Sequence, residues 1–272
     1  KAAQETIALL PEDKRNSEHL QYWQSRCAEL LGDGDEIPME AWQNLAQKRN
    51  YYGFLAAEHL QRPFSFEHVQ SVPSEEDLLR ISTMPGIRRA LEHYVHNNIS
   101  FARLEWAQVA RDFSYDEHIL AGHLAKRWGW HHQAILSTIR ARSWDYLDIR
   151  FPKPYADATL REALKHNIPA EWIHATARQE SAYATDARSS ANARGLMQLL
   201  PSTAKSLLET PKSQFKTNDL YKPDINIQLG SKYLSQLHKR YEGNRALASA
   251  AYNAGPHRVQ QWLDKSAKRS PV

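Results

Sequence analysis

Glu180 is the residue of this 272-residue chain best suited to proton-transfer chemistry. It lies in WIHATARQESAY, residues 172–183. Ile173, Ala177 and Glu180 fall at i, i+4 and i+7, so on a helix the carboxyl continues an apolar stripe. Burial disfavours the charged form of such a group and raises its pKa. A carboxyl that stays protonated near neutral pH can act as the general acid for a glycosidic oxygen. Spacing alone favours the plainer reading, a solvated glutamate at a helix end. Two further segments have chemical potential. In ARGLMQLLPSTAKSLL, 193–208, Gly195 permits a tight turn or close backbone approach, and Gln198 offers an amide donor and acceptor. In ASAAYNAGPHRV, 248–259, small residues surround Tyr252 and Asn253 and would leave their polar tips facing a cleft. Read singly, the first is ordinary core and the second a helix C-terminus before a Gly-Pro turn.

Helices must position these residues. Segment 39–60 is apolar at Trp42, Leu45, Tyr52, Leu55 and Leu60, with an interruption near Asn50–Gly53, which predicts a helix, a break and a second helix. Pro63 and Pro73 bracket an irregular stretch, and Ser74 with Glu76 and Asp77 marks a helix start. Segments 86–97, 100–112, 115–128 and 131–142 have the lengths of antiparallel helix pairs, as in a degenerate helical solenoid. Trp128, Trp130 and Trp144 are expected to pack between helices. RFPKPY at 150–155 cannot be regular helix and marks a boundary. Beyond it, Asp157 is expected to cap a helix to about Asn167, with Pro169 starting a helix over 169–181. Residues 207–218 read as loop, Asp224 opens a helix to about Tyr241, and 245–253 and 256–264 form two short helices. No segment alternates as a strand. The expected fold class is all-α.

Composition narrows the function classes. Hydrophobic residues make up 42% and charged residues 24%, enough for a packed core. No apolar run approaches the ~18–20 residues that span a bilayer. The single Cys27 excludes an internal disulfide. His118, His123, His131 and His132 lack the spacing of a zinc helix, so no metal and no cofactor is expected. The net charge of +4 hides a split. Residues 1–143 carry 16 Lys and Arg against 19 Asp and Glu, a net of −3; residues 144–272 carry 19 against 12, a net of +7. The basic half could attract an anionic partner, but no Arg/Lys cluster interleaves with aromatics, so no nucleic acid is expected.

Taken in order, Gln-Glu-Ser, GLMQL-x-P-x-TA, the stretch LYKPDINIQLGSKYL at 220–234 and AYNAG resemble the catalytic domain of family 1 lytic transglycosylases. The resemblance spans about residues 145–265. More weakly, through RNYYGFLAA at 49–57, the first half resembles the end of the superhelical domain and the linker domain of the large soluble members. It implies a superhelix end over 1–82, a helical linker domain over 83–150 and a lysozyme-like catalytic domain over 151–272. Glu180 then matches the family's single catalytic acid. Ser181, Ser189, Met197, Gln198, Leu200, Thr203, Tyr252 and Asn253 match substrate-binding positions, with Leu200 standing where many members have Met. The family pattern continues past AYNAG into IPF and ETR-x-Y-V motifs absent here, so a domain truncated at its C-terminus is expected.

Most glycosidases use two carboxylates; Asp186 lies in an expected loop and Asp224 reads as a cap, which leaves Glu180 alone. The resemblance implies cleavage of the β-1,4 bond between N-acetylmuramic acid and N-acetylglucosamine, with 1,6-anhydromuramoyl products. It also implies a periplasmic monomer that acts on peptidoglycan strands and works alongside cell-wall synthesis or lysis proteins. A goose-type lysozyme-like hydrolase and a non-catalytic helical-repeat scaffold that binds peptidoglycan are the alternatives.

Overall fold

The computed structural model describes residues 2–31, 39–208 and 214–266. Among them there is no strand, and the chain forms two compact units, 1–70 and 71–272. Both are built from helices, as the spacing of apolar residues predicts.

The first unit contains α1 (Ala2–Ala8), α2 (Glu12–Arg15), α3 (Glu18–Leu31), α4 (Met39–Ala46) and α5 (Tyr51–His59). Its core is Trp42, Leu45, Ala46, Ala56 and Ala57, with Tyr22 and Leu60 packed against it. The break between α4 and α5 is narrower than expected. Asn50 caps α5 by accepting the Gly53 amide at 2.9 Å, so Gly53 lies inside the helix. A Cβ there would collide with the carbonyls of Lys48 and Leu45, which is why glycine is needed at that point.

The second unit opens with α6 (Glu75–Ser82), α7 (Pro85–Val95), α8 (Ile99–Val109), α9 (Tyr115–Arg127) and α10 (His131–Arg140). Ser74 caps α6 by accepting the Asp77 amide. Ser114 and Glu117 form a reciprocal capping box at the start of α9. The three-residue connections make α7/α8 and α9/α10 hairpins. Small residues, Ala90, Ala102, Ala121 and Ala134, let these helices approach closely. Trp106 and Trp130 fill the space that remains, edge to face at 5.5 Å, and Trp130 stacks on Tyr94 at 4.7 Å. Trp128 packs on the same core. Trp144 does not: it is 47% exposed, with the Arg150 guanidinium 4.6 Å from its ring. Three tryptophans close in sequence therefore do not form one cluster, because the third falls in the turn after α10.

The chain continues through α11 (Leu147–Arg150), α12 (Ala156–His166), α13 (Ala170–Ser181), α14 (Pro201–Leu207), α15 (Pro223–Arg240), α16 (Arg245–Ala254) and α17 (Pro256–Ser266). Asp157 is not the cap of α12. The helix begins one residue earlier, after Tyr155 in the left-handed region (φ 56°), and Asp157 lies in its first turn. Asp224 likewise sits inside the first turn of α15, after Pro223. α15 is buried nearly all round, through Asn226, Ile227, Leu229, Gly230, Ser231, Leu234, Ser235 and Leu237. It contacts α12, α13, α14 and α16, so it is the central post of this part. Among the described residues no helix is long and apolar enough to cross a membrane.

Replacing Trp106 with Ala should lower the unfolding free energy by about 3–5 kcal/mol. Trp144→Ala should cost less than about 1 kcal/mol, the scale of an exposed cation–π contact. Urea denaturation of the two variants checks this contrast.

Candidate active site

The last turns of α13 carry the acid. Ile173 and Ala177 are buried, and Glu180 follows them on the same stripe, half-buried. Burial raises its pKa above that of an ordinary glutamate. Among the described residues its carboxyl has no ion-pair or hydrogen-bond partner to reverse that shift. The solvated-glutamate reading is thereby set aside.

The chain reverses sharply after α13. Ala182 (φ 48°) and Tyr183 (φ 65°) are consecutive non-glycine residues in the left-handed region, a conformation costing roughly 1–2 kcal/mol each. Three contacts hold the reversal. The Ala182 amide donates to the Arg178 carbonyl, the Tyr183 hydroxyl donates to the His174 carbonyl at 3.1 Å, and the Ser181 hydroxyl donates to the Leu196 carbonyl at 2.8 Å. Burial pushes the Tyr183 hydroxyl up to about 12, against the opposing charge of Arg178.

The loop 184–200 has almost no secondary structure, only isolated bridges pairing Arg194 with Arg188 and Leu199. Asn226, fully buried on α15, organises it. Its Oδ1 accepts the Met197 amide at 2.7 Å, and its Nδ2 donates to the carbonyls of Arg194 and Leu220. Gly195 (φ 76°) lies against this amide, and any side chain there would strike Asn226 and the Leu220 carbonyl. Asp186 anchors the loop from the other side, through a two-pronged ion pair to Arg103 with both bonds at 2.7 Å. Burial acts to raise the Asp186 pKa, but Arg103 outweighs it and the net shift is downward.

Tyr252, on α16, completes the site. Its hydroxyl donates to the Met197 carbonyl at 2.7 Å, and its ring packs 5.3 Å from Tyr233. Burial first, and then the Glu180 charge, raise its pKa well above that of a free phenol. Glu180 and Tyr252 therefore share one electrostatic environment.

The other expected residues divide into two groups. Met197 is a correction: its side chain is fully buried against Gly230, so it belongs to the core, and its main chain serves the site. Ser181 is committed to the Leu196 carbonyl. Gln198 (φ 46°) turns its amide nitrogen inward to the carbonyls of Gly195 and Ala187, at 2.9 and 3.2 Å. Ser189 is exposed and accepts the Ala193 amide at 3.1 Å, which closes a small turn. Leu200, 40% exposed, and Thr203 stand at the start of α14, and Asn253 is exposed on α16. None of these last four is hydrogen-bonded to Glu180. Asn226 and Arg103 carry functions that inspection of the motifs did not assign. The only hint to Asn226 was its place inside the 220–234 stretch. Asp186 is tied to Arg103, and Asp224 is exposed with Arg161 at 3.8 Å. Glu180 is therefore the carboxyl at this site without a cationic partner. The described residues contain no group of three or more His, Cys, Asp or Glu that could hold a metal ion.

Two predictions follow from this geometry. Asn226→Ala would leave two buried backbone groups, the Met197 amide and the Leu220 carbonyl, unpaired, since the Arg194 carbonyl keeps the Leu199 amide; it should destabilise the chain by about 2 kcal/mol or more, read by urea denaturation. Glu180→Gln should stabilise it at neutral pH. The folded state raises the carboxyl's pKa, so wild-type stability is complete below the unfolded value of about 4.3. That stability is lost as pH rises through the folded value. Denaturation at acidic and neutral pH should show the two proteins converging at low pH and separating above it.

Comparison with known proteins places this arrangement in context. Residues 157–271 match the family model of the transglycosylase SLT domain, and residues 80–147 match that of the soluble lytic murein transglycosylase L domain. The soluble lytic murein transglycosylase of Escherichia coli K12 is 32% identical over 97% of this chain and 41% of its own length. A putative soluble lytic murein transglycosylase of Haemophilus influenzae is 31% identical over 96% of this chain and 43% of its own. Among solved structures, an inactive mutant of the lytic transglycosylase Slt from Pseudomonas aeruginosa superposes with a TM-score of 0.88 at 40% identity, over 99% of this chain and 44% of that one. The 70-kDa soluble lytic transglycosylase of E. coli superposes with a TM-score of 0.86 at 31% identity, over 97% and 42%. The chain spans less than half the length of these relatives.

Proposed function

Because the chain belongs to the soluble lytic murein transglycosylase family, we propose that it cleaves peptidoglycan between N-acetylmuramic acid and N-acetylglucosamine, with Glu180 as the single acid and base. The observation that carries this reading is a half-buried carboxyl with a raised pKa and no cationic partner, beside Tyr252. Protonated Glu180 gives its proton to the β-1,4 oxygen as the bond to the muramoyl C1 breaks. The acetamido oxygen of the same sugar bonds to C1 and takes up the developing charge, the substrate-assisted exception to paired carboxylates. Ionised Glu180 then removes the proton of the C6 hydroxyl. O6 attacks C1, displaces the acetamido oxygen and forms a 1,6-anhydro ring, with no water consumed. Tyr252, fixed on the Met197 carbonyl, keeps the wall beside the acid in place. Ser189, Gln198, Leu200, Thr203 and Asn253 are the proposed sugar contacts; Ser181 and Met197 hold the loop that carries them.

In this reading residues 1–82 end a superhelical domain, 83–150 form a linker domain and 151–272 are catalytic. The protein acts in the periplasm as a monomer. The +7 balance of residues 144–272 favours approach to a polymer whose stem peptides carry carboxylates.

Digestion of purified sacculi tests the chemistry. The released muropeptides should end in 1,6-anhydromuramic acid and be one water lighter than hydrolysis products. Reducing ends would overturn transglycosylation. Glu180→Gln should lower turnover by at least about 10²-fold while sacculus binding persists, and near-wild-type turnover by that variant would overturn the assignment of the acid. Sacculus binding should also weaken as salt is added.

A further inference from the structure

His132 lies on α10, lacks the spacing of a metal ligand and takes no part in the proposed proton transfers. Ile135, three residues on and so on the same face of the helix, packs with Ile173 and Ala177 of α13. That face is therefore turned to the helix that carries Glu180. A cavity of about 60 Å³ has His132, Tyr183, Ala184 and Asp186 among its walls, which puts the imidazole beside the reversal after α13. The ring faces the main-chain carbonyls of Ser181 and Ala182. The Ser181 carbonyl also accepts the Ala184 amide at 3.1 Å, but among the described residues the Ala182 carbonyl has no main-chain donor.

A carbonyl only accepts, so the ring nitrogen that meets it carries the proton. Nδ1 is buried with no partner, which assigns the proton to Nε2. Burial first, and then the charge of Arg103 on α8, push the pKa of the ring below that of a free histidine, against the two carbonyls and Asp186 of the following loop. Arg103 and Asp186 spend their charges on each other, so a neutral ring is what the surroundings favour. Neutrality matters at this place. The carbonyl end of a helix is equivalent to about half a negative charge, and a basic side chain often caps it. A full positive charge at that end of α13 would stabilise the Glu180 carboxylate and pull its pKa down. A neutral N–H pairs the carbonyl and leaves the acid protonated.

We infer that His132 is a positioning residue for Glu180: its Nε2–H caps the carbonyl end of α13 and so fixes the turn of that helix which carries the acid. Its service to catalysis rests on the proposed function; the contact itself does not. Nitrogen-15 NMR of the whole chain at neutral pH tests the contact, and should show His132 neutral with its proton on Nε2. Kinetics on soluble peptidoglycan fragments test the service. His132→Leu should lower kcat by about 10²-fold with KM unchanged, the scale of a displacement of ~1 Å at the reacting groups. The alkaline limb of its kcat/KM profile, which reports loss of the Glu180 proton, should move to higher pH, because the unpaired carbonyl leaves more negative charge beside the acid. His132→Gln puts an amide N–H where Nε2 was, and should restore both the rate and the profile. A role in packing alone would leave the profile where it is. A proton on Nδ1, a charged ring, a glutamine variant as impaired as the leucine one, or an unmoved profile would overturn the proposal. The tautomer also separates it from the reaction. Cleavage with the proton on Nδ1 would sink the positioning of Glu180 alone, whereas an Nε2 proton in a chain that cleaves nothing would sink the enzymatic reading and leave the capping contact standing.

Discussion

The hydrogen bonds of one buried amide, Asn226, hold the site together. A loop without a sheet or helix must find other partners for its backbone groups, because buried N–H and C=O groups left unpaired are costly. Asn226 satisfies one amide and two carbonyls from three places, Met197, Arg194 and Leu220. Being rooted in α15, the helix most fully enclosed by its neighbours, it transfers the rigidity of the core to the loop. Gly195 is the counterpart of this device, since only a residue without a Cβ lets the backbone come so close. Once Met197 is fixed, its carbonyl fixes the Tyr252 hydroxyl, and Tyr252 bounds the space beside Glu180.

Glu180 differs from the polar groups around it because each of them is already occupied. Ser181 donates to Leu196, Gln198 to Gly195 and Ala187, Tyr252 to Met197, and Asp186 takes the full fork of Arg103. A donor left free near Glu180 would stabilise its carboxylate and pull its pKa down. Committing the neighbours elsewhere leaves burial as the dominant influence. The same network that orders the loop thus leaves the upward shift of the acid's pKa by burial unopposed.

Much of this architecture was legible because it is local. Ser74 and Ser114 announce their helices through side chains that reach only three residues ahead, and the stripe through Ile173, Ala177 and Glu180 needs only helical geometry. Where the structure differs from expectation, the cause is a backbone conformation or a contact that residue type alone does not encode. Asp157 has the residue type of a cap, but Tyr155 in the left-handed region starts the helix earlier. Trp144 resembled its two neighbours in sequence, yet a turn separates it from their core. Met197 and Gln198 stand side by side in a motif; the burial of the Met197 side chain depends on Gly230, and the turn of the Gln198 amide on the carbonyls of Gly195 and Ala187. The function of Asn226 depends on partners up to 32 residues away, a distance over which no periodicity speaks.

The boundary at residues 150–155 shows how a break in the chain differs from a break in packing. The irregular segment does end one run of helices. Yet on α10 Ala134 belongs to the core of the preceding hairpins, while the adjacent Ile135 belongs to the core that contains Ile173, Ala177 and Met197. Successive residues on a helix point about 100° apart, so one helix can form a wall shared by two cores. The Arg103–Asp186 pair repeats the link at the surface, joining α8 to the loop after the acid. The segment that carries Glu180 is thus joined to α7–α10 twice, through the core that Ile135 shares with α13 and through that ion pair. The helices before the boundary are part of the support of the site, although the chain between them and α12 has no regular structure.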